Sequence, residues 1–419
     1  MQRLGVLLFC VSLFYQGLWA AQGDLKRIDR MATMSLSEVE TQRASFTSRL
    51  PKDPVEFISA RNGASSVVAE LPTVENGVTL FKVVYETLDS HGNTVLASGV
   101  LIYPRELTSV EPLPALTNQP IVSHQHGTIT NTASAPSSGV APNLFEIFYF
   151  AARGYVVTGA DYLGYGESTG FHPYLHADTE ASASRDLLRA VLQAGSSSLS
   201  AWAGPLFLAG YSQGGHATMA LHRLLENDPH HGFPVTASVP MAGPYNLSAS
   251  AKPILQNPDP YISSAEIAYV VYAMDLVYDL FDGLNEVIQD QYASRLPSVF
   301  DSRHTFEQVL NEMPEHPLNL LQDEAIAALY AQDPSHPLIQ ALIENDVYDW
   351  TPEAPVKLIH GGGDRQVPFE VNSKFTYFTM TQNGGNVVDL IQVGELDHMD
   401  VPPYAYQEAA KWFDSFLTE

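Results

Sequence analysis

Six short apolar runs alternate with stretches of helical spacing along this chain, and that alternation limits what it can fold into. The runs are Ile121–His124, Tyr155–Ala160, Pro205–Tyr211, Val235–Ala242, Val356–Ile359 and Val387–Val393. Each has strand length, and the runs read as near-continuous apolar stretches. Such strands are buried on both faces, which requires a mostly parallel sheet with helices above and below it. The helical spacings fall at Asn143–Arg153, from a capping Asp178 through Ala194, at Gln213–Asn227 and at Tyr406–Leu417. Ahead of them, Val78–Tyr85 and Thr94–Tyr103 predict a hairpin turning through Ser90-His91-Gly92-Asn93. The expected fold class is α/β.

One stretch breaks the alternation. Between Ser248 and Trp350 no clear strand is found, and helical spacing dominates at Glu266–Phe281, Glu307–Met313 and Asp323–Tyr330. Glu266, Asp275 and Asp279 interrupt its apolar run, so it does not span a membrane. Residues 249–350 are therefore expected to form a helical cap inserted between two parts of the core, 76–248 and 351–419. A packed helical subdomain without a gating role has the same pattern. Residues 21–60 are polar and charged, with helical spacing around Met31–Phe46, and residues 21–75 read as an N-terminal extension.

The 419 residues carry 47 acidic against 21 basic side chains, a net charge of −26. So negative a surface repels phosphate backbones and excludes a nucleic-acid partner. The sole cysteine, Cys10, excludes an internal disulfide and a cysteine-ligated metal. It lies in residues 1–20, where Met1-Gln2-Arg3 precedes an apolar stretch from Leu4 to Leu18 and the small residues Ala20 and Ala21. That is the pattern of a signal peptide, so a secreted or periplasmic, thiol-free mature chain is expected.

The sequence Gly210-Tyr211-Ser212-Gln213-Gly214-Gly215 follows one apolar run and opens a helix. A G-x-S-x-G pentapeptide is a weak signal alone. In a strand–turn–helix setting it marks a serine nucleophile on a turn so tight that residues two before and two after must be small. A serine hydroxyl needs a base. In a chain order of Ser, acid, His, the base belongs between the last strand and the closing helix, which is His398 in Gly394-Glu395-Leu396-Asp397-His398. The acid belongs after the preceding strand, in Val356-Lys357-Leu358-Ile359-His360-Gly361-Gly362-Gly363-Asp364, giving Asp364. Asp397 and Asp400 are rivals by proximity, with Asp397 better suited to the rim.

Acyl transfer also needs donors for the oxyanion. The backbone N–H of Gln213 is one. The other is expected from His126-Gly127-Thr128, assigned to Thr128 with Gly127 as the alternative. His124 and His126 read as buried loop supports, Asp161 as a loop cap and His216 as packing. Tyr162, Tyr165 and Tyr211 are candidate pocket residues. His230-His231 lacks the partners that would complete a metal site, so neither metal nor cofactor is expected.

These residues resemble the α/β-hydrolase superfamily. Gly159-Ala160-Asp161-Tyr162-Leu163-Gly164, His172-Pro173-Tyr174, Gly210–His216 and Ala242-Gly243-Pro244-Tyr245-Asn246-Leu247-Ser248 together resemble the secretory lipase family and its bacterial relatives over roughly residues 75–417. The resemblance implies a secreted carboxylic-ester hydrolase with a helical lid, acting on a small-molecule or lipid ester with at most transient contact with a lipid interface. A prolyl-oligopeptidase-type peptidase would need a β-rich partner domain, and no blade repeats occur. An inactive binding module would have lost a member of the Ser-His-Asp set.

Overall fold

A computed structural model of the chain describes residues 22–138, 148–195, 202–227, 233–257 and 263–417. The signal-peptide segment, Cys10 and His230-His231 lie outside the described residues, as does the first part of the helix expected at Asn143–Arg153. In its described part Phe148 and Tyr149 are helical and a 3-10 turn follows, Ala151–Arg153.

Eleven strands form one sheet in the order β1-β4-β5-β7-β6-β8-β9-β10-β11-β2-β3. The strands are β1 (Leu25–Met34), β2 (Val55–Ser59), β3 (Gly63–Val67), β4 (Val78–Leu88), β5 (Thr94–Tyr103), β6 (Ile121–Gln125), β7 (Val156–Ala160), β8 (Leu206–Tyr211), β9 (Val235–Met241), β10 (Val356–His360) and β11 (Val387–Val393). The six apolar runs become β6 to β11, and these pair in parallel throughout. The five remaining pairings are antiparallel, so the sheet is parallel only at its centre.

Both faces of the central strands are buried. Leu206 and Leu208 of β8 pack on one side with Leu187 and Leu188 of α2 (Ala177–Ala194) and Leu221 of α3 (Gln213–Asn227). Phe207 and Ala209, pointing the other way, join Val39 of α1 (Leu36–Thr47) and the C-terminal helix, which contributes Tyr406 and Phe413. The strand period of two thus feeds two cores from one apolar run. His176, not Asp178, holds the cap position of α2; Asp178 lies in the first turn, where its charge favours the helix dipole.

Strands from residues 22–75 join the sheet at both edges. β1 pairs antiparallel with β4 at one edge, and β2 and β3 extend the other edge beyond β11. Ser35 and Glu38 form a capping box that starts α1 just after β1, which shortens the expected Met31–Phe46 helix.

The interrupting region is helical. It contains α4 (Leu247–Gln256), α5 (Ser263–Tyr278), the short α6 (Asp290–Ala293), α7 (Leu296–Val299) and α8 (Phe306–Asn311), then α9 (Asp323–Ala331) and α10 (Pro337–Glu344). These helices share a third apolar core around Tyr269, Met274, Leu296, Leu320 and Leu338. Two more helices, α11 (Phe375–Gln382) and α12 (Pro402–Ser415), complete the main body. No helix among the described residues is long and apolar enough to cross a membrane.

Candidate active site

Three loops leave the C-terminal ends of parallel strands and meet above the sheet. β8 runs straight into Ser212, whose φ of 60° is a left-handed conformation that a side-chain-bearing residue adopts at a cost. The turn is held by Ser212 N–H donating to Met241 O and by Gly215 and His216 N–H donating to Ser212 O. Its tightness explains the flanking glycines: a Cβ on Gly214 would stand 2.0 Å from Gln125 O, and one on Gly210 2.3 Å from Gly214 O. Ser212 is thereby lifted to the start of α3, half-exposed, while its neighbours are buried.

The structure brings Ser212, His398 and Asp364 together. Ser212 Oγ is 2.8 Å from His398 Nε2, and His398 Nδ1 is 2.6 Å from Asp364 Oδ2. Asp364 follows β10 and is almost fully buried. Its carboxylate also accepts from His360 Nε2 at 3.0 Å and from the N–H groups of Gln366 and Val367 at 3.0 and 2.7 Å. Burial works against its charge, but the imidazole of His398 and the hydrogen bonds from His360 and His398 outweigh it and hold the carboxyl well below the usual range. Burial likewise opposes a charged His398, yet Asp364, then Glu266 and Asp397, raise its pKa above 6.5. His398 is thus oriented by a carboxylate on one nitrogen and presents the other to a hydroxyl, the arrangement that lets an imidazole take and return a proton.

Asp397 does not touch the imidazole. It accepts from the backbone N–H of His398 and pairs with the Arg365 guanidinium at 2.7 Å. Gly127 borders the nucleophile: a Cβ on it would be 3.9 Å from Ser212 Cβ. The Thr128 hydroxyl is engaged 2.8 Å from the Tyr174 hydroxyl. His126 supports this loop, its ring nitrogens meeting Gly127 O and Asp161 O. Asp161 is buried and bonded to Ser98 and Ser137, a structural role.

The three candidate pocket tyrosines are misplaced. Beside Ser212 lies a narrow cavity of ≈ 80 Å³, partly open to solvent, and none of the three lines it. Tyr162 and Tyr165 are buried, with hydroxyls on His126 O (3.4 Å) and Ile129 O (2.6 Å). Tyr165 also meets Tyr269 of α5 at 2.6 Å, joining core to cap. Tyr211 donates to the carbonyl of His398 at 2.6 Å, steadying the loop of the base. The walls are instead Tyr174, Leu175, Leu247, Val270, Leu338 and Leu342, most of them from the cap, with Glu266 and Gln366 near Ser212.

A buried polar chain escapes sequence reading altogether. Gln213 Nε2 donates to His172 Nε2 and to Glu180 Oε1, both at 2.8 Å. Glu180 Oε2 bonds His216 Nδ1 at 2.8 Å, and His216 Nε2 reaches Asn345 O at 2.9 Å. The residue after the nucleophile is thus tied through α2 and α3 to the end of the cap, and His216 is more than packing. Among the described residues no group of three His, Cys, Asp or Glu is placed to hold a metal.

No family model matches the chain, and no curated protein matches it significantly. Solved structures do. The rice cell wall degrading esterase LipA from Xanthomonas oryzae is 25% identical, with 93% of this chain and 95% of that one covered at a TM-score of 0.74. A putative hydrolase from Legionella pneumophila is 25% identical, with 94% and 98% covered at 0.76. Candida antarctica lipase A in its closed state, 15% identical, shares the fold over 90% of this chain and 78% of its own at 0.63. The elbow at Ser212, the parallel centre of the sheet and these neighbours lead to one conclusion: the chain belongs to the α/β-hydrolase superfamily and resembles its esterases and lipases.

Proposed function

We propose that this carboxylic-ester hydrolase works through an acyl-enzyme formed on Ser212. The observation that carries the reading is the hydrogen-bonded line from Ser212 Oγ through His398 to Asp364, with distances of 2.8 and 2.6 Å. His398 Nε2 takes the Ser212 proton as Oγ attacks the ester carbonyl, and Asp364 stabilises the imidazolium. The carbonyl oxygen becomes an oxyanion and accepts from the N–H of Gln213 and of Thr128, with Gly127 the alternative to Thr128. His398 returns its proton to the leaving alkoxide. Water, deprotonated by the same histidine, then releases the acid.

The apolar cap wall suits an acyl chain or aromatic group. A p-nitrophenyl ester series from acetyl to palmitoyl, run beside triglyceride emulsion and aryl esters, tests the reading and separates esterase, lipase and aromatic-acid esterase. Failure of the folded protein to turn over any ester would overturn it. Export belongs to the same reading: residues 1–20 carry the signal pattern, and a mature N-terminus still at Met1 after expression in a secreting host would contradict it. The peptidase and binding-module readings have no observation in their favour.

A further inference from the structure

One carboxyl near the nucleophile is unused by the mechanism above. Glu266 lies on cap helix α5 and lines the cavity together with Ser212, among walls that are otherwise largely apolar. Its Oε1 accepts from Gln366 Nε2 at 2.5 Å, and Gln366 stands two residues from Asp364. Its Oε2 has no hydrogen-bond partner among the described residues, and Glu266 forms no ion pair there. Two residues that line the same cavity, Gln366 and Gln213, each carry a buried amide Oε1 without a hydrogen-bond partner among the described residues.

A carboxyl in such a place is costly unless something bonds it. Burial pushes it up to about 7, with His398 the nearest favourable charge and Asp364 an unfavourable one. An apolar side chain at position 266 would spare that cost, so the carboxyl makes sense as a recognition group. Ionised, above about pH 7, the carboxyl only accepts, so a ligand that bonds it must bring a donor. A cationic donor would face His398 at the moment that ring becomes an imidazolium, whereas a neutral hydroxyl meets no such repulsion.

We propose that Glu266 is a specificity-determining residue, whose carboxyl accepts a hydrogen bond from a substrate hydroxyl so that esters bearing that hydroxyl are preferred over their unsubstituted counterparts. The proposal rests on the ester-hydrolase reading. Gln366 holds Oε1 and leaves Oε2 for the substrate, and the aliphatic walls take the rest of the chain.

A hydroxyl scan tests it. Straight-chain p-nitrophenyl esters are compared with analogues carrying one hydroxyl at successive carbons, and alkyl acetates with hydroxyalkyl acetates cover the alcohol side. At one position the wild-type enzyme should show kcat/KM about tenfold or more above the plain ester. In Glu266→Ala that ratio should fall to about one, and Glu266→Gln should keep part of it through its amide oxygen. The ratio cancels any general loss of activity in the variants. No preference at any position in the wild type, or a preference that survives Glu266→Ala, overturns the proposal. So does a stronger preference for the matching amino esters. If the wild type hydrolyses neither plain nor hydroxylated esters, the ester-hydrolase reading falls as well, and the two failures are thereby told apart.

Discussion

Ser212 holds its left-handed backbone because the surroundings leave it no other course: Met241 O anchors its N–H, and Gly210 and Gly214 let neighbouring chain pass within contact distance. Ser212→Ala should abolish ester hydrolysis while leaving the melting temperature nearly unchanged, because the backbone bonds of the turn remain. Asp364→Asn should lower kcat by roughly 10⁴ with the loop intact, since the amide no longer fixes the tautomer of His398. Asp397→Asn should cost far less, because its partners are Arg365 and backbone. The base must be neutral to act, and its pKa is raised, so kcat/KM should rise with pH through a midpoint above 6.5. In residual Asp364→Asn activity that midpoint should move down, because the largest favourable influence is gone. A fully buried carboxylate makes Glu180→Ala the harsher lesion for the fold. It strips the buried His216 Nδ1 of its acceptor, leaves Gln213 only His172, and should cost about 3–5 kcal/mol in urea unfolding.

Among the elements, the cap helix α5 carries a pH signature through Glu266. The folded protein keeps that proton up to about 7, whereas the unfolded chain releases it near the ordinary value of 4.5. Between those values the folded state binds more protons, so stability falls as pH rises. Glu266→Gln should therefore show a smaller drop in melting temperature between about pH 5 and about pH 8 than the wild type does. Elements differed in how plainly the sequence announced them. The central strands β6 to β11 stood out because burial on both faces makes them apolar throughout. β1 did not, because an edge strand with the sequence LKRIDRMATM shows charges to solvent and blunts its pairing edge with them. Ser212, Asp364 and His398 were legible because each follows a strand in an expected order. Glu180 and Glu266 were not: each is meaningful only through partners far away in the chain or across the cap. The pocket was misread for the same reason, since its walls come from helices whose packing on the core no local pattern encodes.

For the molecule as a whole, the sheet order converts three distant segments into one site, and strands from the N-terminal region close both edges. Removing residues 22–34 should uncover the edge of β4 and lower soluble yield, seen as aggregation in size-exclusion chromatography. The net charge of −26 gives so large a surface a negative field and self-repulsion. The central claim is that a single serine carries the acyl group. Intact-mass and peptide mass spectrometry of the folded protein treated with a fluorophosphonate tests it most directly. One adduct on the peptide containing Ser212, absent in Ser212→Ala together with esterase activity, is the predicted result. A folded wild-type protein that takes no label, or a Ser212→Ala variant that still hydrolyses esters, would contradict it.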